Sequence, residues 1–436
     1  MKKAIKYLSG MKSRCFMLLT CLILLVGATS CSSDDFETNL PEESKQLSKS
    51  ELLQKYSKAE LIEQALSRMP QTRADNNRVR MITIKDSITI RYSATEDMKI
   101  VIGGVTISME KGADMIRNHR FSDNYLSHTI EIRGSQLAMQ SLYIDDNGLI
   151  DLEVYSNENL VILSCVNNHL DELDLPNECQ ALQVLHVSNN ELSALEVTHI
   201  PLLYHLYAEN NQLTYLDVSG NSNLFQLMLG NNKITAIKLS VNLSALNLSG
   251  NPIENIDLSN NPNLINIDVS FTSITNLDLR NNPNLLLVSL EGLLLDTIND
   301  HPICDTSFSM FPKLFILNVA STPFTLLDLS KNTMLYAVDI SGSAITKLDI
   351  SDIRVQKLYA TRSKLTNLIW GEDGLDNLFE VRIERTPFEK DWDRLEPFIS
   401  ALPRRSETSP GHLYTYSPNM KEITDRLKPR NWLINR

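Results

Sequence analysis

The side chains best suited to chemistry in this sequence are its 8 histidines, 6 cysteines and 53 carboxylates. Two histidines, His186 and His205, occupy related places in neighbouring segments, but no His-Glu-x-x-His or Cys/His zinc spacing accompanies them. Metal chemistry is therefore not indicated, and no cofactor is implied. The sequence holds no Gly-x-Ser-x-Gly, P-loop or dinucleotide fingerprint. Acid pairs occur throughout an acidic chain, so their presence does not argue for glycoside hydrolysis. The residues that stand out are Tyr143, His186, Tyr207 and Met228, with His205 beside them. Exposed aromatic and Met side chains on a rigid surface anchor contacts, and Tyr faces stack on sugar rings. The alternative is that these aromatics merely favour strands and cover their neighbours. Residue chemistry points to a binding protein that is not an enzyme.

A repeat of about 21 residues sets the spacing of these residues. From Leu182 to Asn284 the chain reads LQVLHVSNNELSALEVTHIP, LYHLYAENNQLTYLDVSGNSN, LFQLMLGNNKITAIKLSVN, LSALNLSGNPIENIDLSNNPN and LINIDVSFTSITNLDLRNNPN. Each unit has two short Leu-x-Leu runs. In the first run Leu185 and Val187 point inward while His186 and Ser188 point out, as strand alternation requires. The outward column then runs Tyr143, Ser164, His186, Tyr207, Met228, Asn247, Asp268, Ser289, Asn318, Asp339, Tyr359, Arg382. A turn Asn follows at Asn147, Asn168, Asn190, Asn211, Asn232 and Asn251, and the same slot is assigned to Thr272, Gly292, Thr322, Ser343, Ser363 and Thr386. The Asn amide both donates and accepts, so it can satisfy backbone groups of adjacent coils that would otherwise be buried unpaired. A second Asn ladder is expected at Asn157, Asn221, Asn242, Asn261, Asn282 and Asn332. Acids recur on the second runs at Glu153, Asp174, Glu196, Asp217, Asp257, Asp278, Asp328 and Asp349, interrupted by Lys238. Stacked carboxylates repel unless they are paired, solvated or bridged by cations. A bridging calcium is the alternative to a structural role, in which each acid bonds neighbouring backbone or water, but no compact loop gathers the oxygen ligands that calcium takes. About ten extra residues between Gly292 and Thr322 predict an outward loop within 293–313.

Together these units resemble bacterial leucine-rich repeat proteins, in the variety called IRREKO, whose LxxLxLxxNxLxxLDLSxN pattern fills about 21 residues. The resemblance implies a mainly β leucine-rich repeat solenoid that binds protein or glycan ligands through its sheet face. The departures are the loss of Asn after Asn251, the insertion after Leu295, and Trp370 in place of the LDLS motif. A solenoid exposes an apolar end at its first coil, so caps are required. Period-two runs over residues 78–133, with Gly103-Gly104 as a turn, predict an N-terminal β-sheet or sandwich cap before a solenoid over 134–390. Residues 391–436 carry two helical stretches and a short HLYTY run and predict an α/β C-terminal cap.

Residues 1–30 combine five basic residues, an apolar run over Phe16–Val26 and small residues directly before Cys31. This order resembles the signal peptide and lipobox of bacterial lipoproteins, which implies that a lipidated Cys31 holds the protein at the outer membrane. The SSDDFE that follows resembles an anionic surface-export signal and implies cell-surface display, with the periplasmic face as the alternative. Residues 31–77 read as an acidic tether and an amphipathic helix over Ser48–Met69, with Ser48 as N-cap and Glu51 completing a capping box. That helix could lie on the next domain or serve as a dock in an envelope complex. Losing residues 1–30 moves the formal net charge from -12 to -17. Such a surface repels phosphate backbones, so nucleic acid is not an expected partner. Cys165, Cys179 and Cys304 make no disulfide framework. Cys165 is expected to pack as a small apolar residue, with a Cys165–Cys179 bridge as the alternative. Asp86-Ser87-Ile88 and Asp296-Thr297-Ile298 resemble O-glycosylation sites of some surface bacteria.

Overall fold

Alternation in the first run of each repeat buries one side chain and turns its two neighbours outward, and the coils stack accordingly. Leu163, Leu185, Leu206, Leu227 and Leu246 occupy the same inward place in successive coils and are at most 1% exposed. Their flanking residues align in parallel register, His186 opposite Tyr207 and Tyr207 opposite Met228. Burying each such side chain contributes about 1.5–3 kcal/mol before the entropy of ordering is charged against it. The computed structural model describes residues 57–67, 77–102, 105–121, 125–135, 138–298, 301–302, 308–372 and 375–435. The signal peptide, Cys31, the tether, Ser48, Glu51, the Gly103-Gly104 turn and Cys304 lie outside the described residues.

Among the described residues the protein is mainly β, dominated by a sixteen-stranded sheet. Its N-terminal end is antiparallel. Strand β1 spans Asn77–Thr83, β2 Ser87–Ala94, β3 Met98–Ile102, β4 Val105–Met109, β5 Gly112–Arg120, β6 His128–Arg133, β7 Met139–Tyr143 and β8 Leu149–Val154. One sheet has the order β4-β3-β6-β1-β8, while β5-β2-β7 begins the large one. Val79, Met81, Ile90, Tyr92, Ile130 and Ile132 share one buried core with the coils. The expected sandwich cap is present, and its joint to the solenoid is simple. Both β7 and β8 come from the first coil: β7 pairs in parallel with Ile162–Ser164, and β8 closes the smaller sheet against β1. The apolar end of the first coil is thereby covered by continuation of its own two faces.

Helix α1 runs Lys58–Leu66. The capping box is Ser57 with Glu60, and Ser57 itself is extended (φ -67°, ψ 153°). An extended residue breaks the helical path there, so no continuous helix spans Ser48–Met69. The apolar side of α1 is used within the chain: Leu61 and Ala65 pack on Ile82, Ile84 and Ile150, and Ser127 donates to the Leu61 carbonyl at 2.7 Å. Lys58 reaches Glu191 at 2.8 Å and Asp171 at 3.3 Å in the coils. These contacts leave α1 committed in cis rather than available as a dock.

At the other end, Gly411–Tyr414 pairs in parallel with Glu380–Arg382, and Trp432–Asn435 pairs in parallel with Gly411–Tyr414. The α/β C-terminal cap thus carries the sheet onward. Helices α2 (Pro387–Lys390), α3 (Trp392–Ala401) and α4 (Met420–Leu427) stand where second runs would be. Trp370, the residue in place of LDLS, meets Phe398 of α3 edge-on at 5.7 Å. In the insertion, Thr297–Ile298 forms a small antiparallel pair with His301–Pro302 beside Asn276–Leu277.

The Asn ladder works as its chemistry suggests. Asn211 Nδ2 donates to the carbonyls of Val187 (3.0 Å) and Ala208 (3.2 Å), and its Oδ1 accepts from Leu192 N–H at 3.1 Å. Asn168, Asn190, Asn232 and Asn251 repeat the pattern. Thr272 keeps one bond of this set, its hydroxyl donating to Val269 at 2.8 Å. Two slot assignments change. The slot beside Gly292 is filled by buried Leu293, whose N–H bonds Leu290, and Gly292 lies one place earlier in a left-handed turn. In the second ladder Asn157, Asn221, Asn261, Asn282 and Asn332 are buried. Asn242 is exposed, and Ser240 takes its place by donating to Asn221 O at 2.8 Å, because that coil is shorter. Cys165 lies in the core as expected. Cys179 is buried in the second ladder's slot, and both cysteines are free thiols, so the alternative bridge is not formed.

Replacing Asn211 by Ala removes the partners of a buried N–H and two carbonyls, and is expected to cost about 2–4 kcal/mol. Thr272→Ala deletes one bond and should cost about 1 kcal/mol. Urea denaturation followed by circular dichroism measures both; equal midpoints for the two variants would contradict this account of the ladder.

Candidate functional site

Strand register assembles the outward residues into a column along the large sheet. Tyr143, Ser164, His186, Tyr207, Met228, Asn247, Asp268, Ser289, Asn318, Asp339, Tyr359 and Arg382 follow one another as alternation requires. The C-terminal cap extends the column with Tyr414 and Asn435, and the N-terminal cap places Arg91 beside Tyr143.

The structure brings four of the five candidate residues together. His186 and Tyr207 have ring centroids 5.1 Å apart, His205 lies 5.9 Å from Tyr207, and Met228 follows Tyr207 in register. All four are half-buried. Tyr207 donates its hydroxyl to Gln226 Oε1 at 2.7 Å, which fixes the ring. Tyr143 is not in this group. Ser164 separates it from His186 in the column, and its ring lies under the Arg91 guanidinium at 5.2 Å.

Two sets of residues were not singled out from sequence. The first is a marginal row one place before the strands: Tyr204, Phe225, Phe315, Tyr336 and Phe379, each half-buried. Strict alternation assigns these places to the interior, but they precede the strand, where alternation no longer applies. Tyr204 and Phe225 stack at 5.1 Å with planes 4° apart, and Phe315 and Tyr336 at 5.0 Å. Their recurrence two residues before the inward Leu or Val was the available signal. The second set is a cation–aromatic cluster at the C-terminal end. Arg382 lies over Tyr414 at 4.2 Å and over Tyr359 at 5.5 Å, while Lys357 lies over Phe379 at 5.5 Å and pairs with Glu380 at 2.9 Å. Tyr414 comes from the cap, so no repeat pattern could have placed it in the column.

Burial sets the electrostatics of the face. It lowers the His186 and His205 pKa values from the ordinary 6.5, with Asp145 partly opposing the shift at His186 and Gln226 at His205. Burial likewise raises the Asp268 and Asp339 carboxyls, against hydrogen bonds from Ser270 and Ser341. On the second runs the acids act locally. Asp217, Asp257, Asp328 and Asp349 each accept from the backbone N–H two residues on at 2.9–3.0 Å. The Ser219 and Ser259 side chains first, and these backbone N–H groups second, hold the Asp217 and Asp257 pKa values below the usual carboxylate range. Among the described residues no group of three His, Cys, Asp or Glu could hold a metal ion. The Ser87 hydroxyl is exposed, whereas Thr297 donates to Asn276 at 2.7 Å.

Solved structures share this architecture. The functional domain of InlJ from Listeria monocytogenes, described as including a cysteine ladder, superposes with a TM-score of 0.51 at 21% identity over 63% of this chain and 68% of that one. The fold is a leucine-rich repeat solenoid. The APL1 leucine-rich repeat domain matches at a TM-score of 0.47 and 20% identity over 57% of this chain and 66% of that one. The Leptospira interrogans leucine-rich repeat protein LIC12759 matches at 0.41 and 17%, over 67% and 83%. No protein-family model and no curated protein matches the sequence.

The histidines of the leucine-rich repeat sheet make stability depend on pH. Their folded pKa values lie below 6.5, so the unfolded chain takes up protons first on acidification. Their contribution is complete above pH 6.5 and is lost as pH falls from there toward the folded values. The denaturation midpoint should therefore drop between pH 7.5 and 5.5, and His186→Gln/His205→Gln should make the drop smaller. An unchanged drop in the double variant would assign the dependence to other groups.

Proposed function

We propose that this protein is a lipid-anchored recognition protein of the outer membrane, displayed at the cell surface, which captures a protein ligand on the face of its leucine-rich repeat sheet. The observation that carries the reading is the cluster of half-buried rings and Met228 around Tyr207. The rings are rigidly held by their neighbours and by Gln226, so binding would cost them little conformational freedom. Twelve coils at about 4.8 Å spacing give roughly 55 Å of sheet, enough for a standard interface of about 800 Å² per partner. A scaffold of an envelope complex or an accessory subunit of glycan uptake would use the same face, and the identity of what is captured separates them.

A photo-crosslinking residue at Tyr207, compared with one at Asp257 on the second runs, tests the reading on intact cells. Crosslinks from Tyr207 alone, to a protein outside the envelope, are expected. Crosslinks only to envelope components would favour the scaffold, and equal yields from both positions would sink the sheet-face assignment. With the ligand in hand, Tyr207→Ala should weaken it by about 2 kcal/mol, roughly thirtyfold, while Tyr207→Phe, which loses only the Gln226 bond, should keep most of the affinity.

The anchor has its own test. Cys31→Ala should abolish lipid labelling and release the protein from the membrane fraction, and protease added to intact cells should degrade the native chain. A chain that survives until the envelope is broken lies on the periplasmic face.

A further inference from the structure

We propose that a groove at the margin of the sheet, near its C-terminal end, binds a carboxylate-bearing sugar ring. The groove encloses about 330 Å³, and its walls include Glu291, Asp339, Arg362, Glu384, Arg385 and Tyr416. That volume sits at the low end for small-molecule sites and suits one or two pyranose rings. This proposal goes beyond capture of a protein at Tyr207 and uses residues of other coils.

Arg362 and Arg385 stand at the left-handed position of consecutive coils, with φ of 59° and 62°. In most other coils this position is held by Asn (Asn167, Asn189, Asn210, Asn231) or Gly (Gly250, Gly292, Gly342), the residues that tolerate it best, and in three by Asp146, Phe271 and Ser321. Two arginines in that place combine an unfavourable backbone with like charges on neighbouring coils. Among the described residues neither guanidinium has an ion-pair partner, and Arg385 rests on the Tyr416 ring at 5.7 Å. Contacts within the chain do not account for the pair. A carboxylate does, since it takes guanidinium N–H groups in a bidentate fork.

The acidic residues select what else the ligand carries. Asp339 accepts from Ser341 N–H at 2.8 Å, Glu384 from the Thr361 hydroxyl at 2.8 Å, and Glu291 from Asn318 Nδ2 at 3.0 Å. Each is held in place with lone pairs to spare, and an ionised carboxylate only accepts. Hydroxyl donors satisfy them, whereas a second anionic group would be repelled. Tyr416, 51% exposed, adds a flat apolar surface. One carboxylate, several hydroxyls and a stackable ring describe a hexuronate or a sialate.

Purified full-length protein in detergent is titrated with methyl glucuronoside, N-acetylneuraminate, glucose and acetate, read by ligand-observed NMR and calorimetry. At least tenfold tighter binding of one acidic sugar than of glucose or acetate is expected, and which sugar wins identifies the source. Arg362→Asn/Arg385→Asn should lose that preference at least tenfold while the melting temperature stays level or rises, because Asn suits the left-handed turn. Tyr416→Leu, at a place free of that strain, should also weaken binding. Glucose or acetate bound as well as the acidic sugars, no binding at all, or full binding by both variants overturns the proposal. Crosslinking from Tyr207 is unaffected by any of these results, so the two readings fail separately.

Discussion

Stacked coils bury backbone groups at every turn, and satisfying those groups is the constraint on which the rest of the molecule depends. A coil turning away from the sheet leaves N–H and C=O groups facing the next coil, out of reach of water. Buried Asn side chains bridge them, as Asn211 does between Val187, Ala208 and Leu192. The second ladder does the same on the far side, where Asn282 donates to Leu258 and Asn261. Apolar burial supplies the larger share of the stabilisation, but it does not distinguish one stacking register from another as the ladders do. Where Asn gives way to Thr272 or Leu293, fewer bonds tie adjacent coils, and this occurs next to the insertion.

The same turns carry a second constraint. Each has a residue in the left-handed region just before the ladder slot, from Asp146 through Arg385. In the first half the Asn residues at this position bond to each other, Asn189 to Asn167 and Asn210 to Asn189, both at 2.7 Å. Gly250 ends the series, since a Cβ there would come 2.5 Å from Asn231 Oδ1. Phe271, Ser321, Arg362 and Arg385 then take positions that ordinarily favour Gly or Asn. At this turn position the larger side chains thus fall in the C-terminal half, where Arg362 and Arg385 line the groove.

A rigid sheet also explains why contact residues can be placed with little cost. Parallel register puts each outward residue within reach of its counterparts on the two adjacent coils, and rings such as Tyr204 and Phe225 hold one another in place. Both caps prolong this sheet rather than ending it. The consequence is two aromatic clusters, one around Tyr207 and one around Tyr359, Arg382 and Tyr414, separated by a polar stretch that includes Asp268 and Asp339.

The 21-residue period by itself determined the solenoid, the inward Leu stack, the outward column and the bridging role of Asn, because each follows from alternation and from the repeat alone. It also determined that Cys165 is core. Tertiary structure decided what depends on neighbours distant in sequence. Tyr414 joined the column only when the cap strand paired with Glu380–Arg382. Tyr204 and Phe225 surfaced because they precede the strand, and Ser240 replaced Asn242 because one coil is shorter than its neighbours. Helix α1 was periodic in sequence, yet only packing against Ile82 and Ile150 fixed which surface it covers. Local pattern specifies a residue's face; which coil, cap or partner lies against that face is set by long-range pairing that no single repeat encodes.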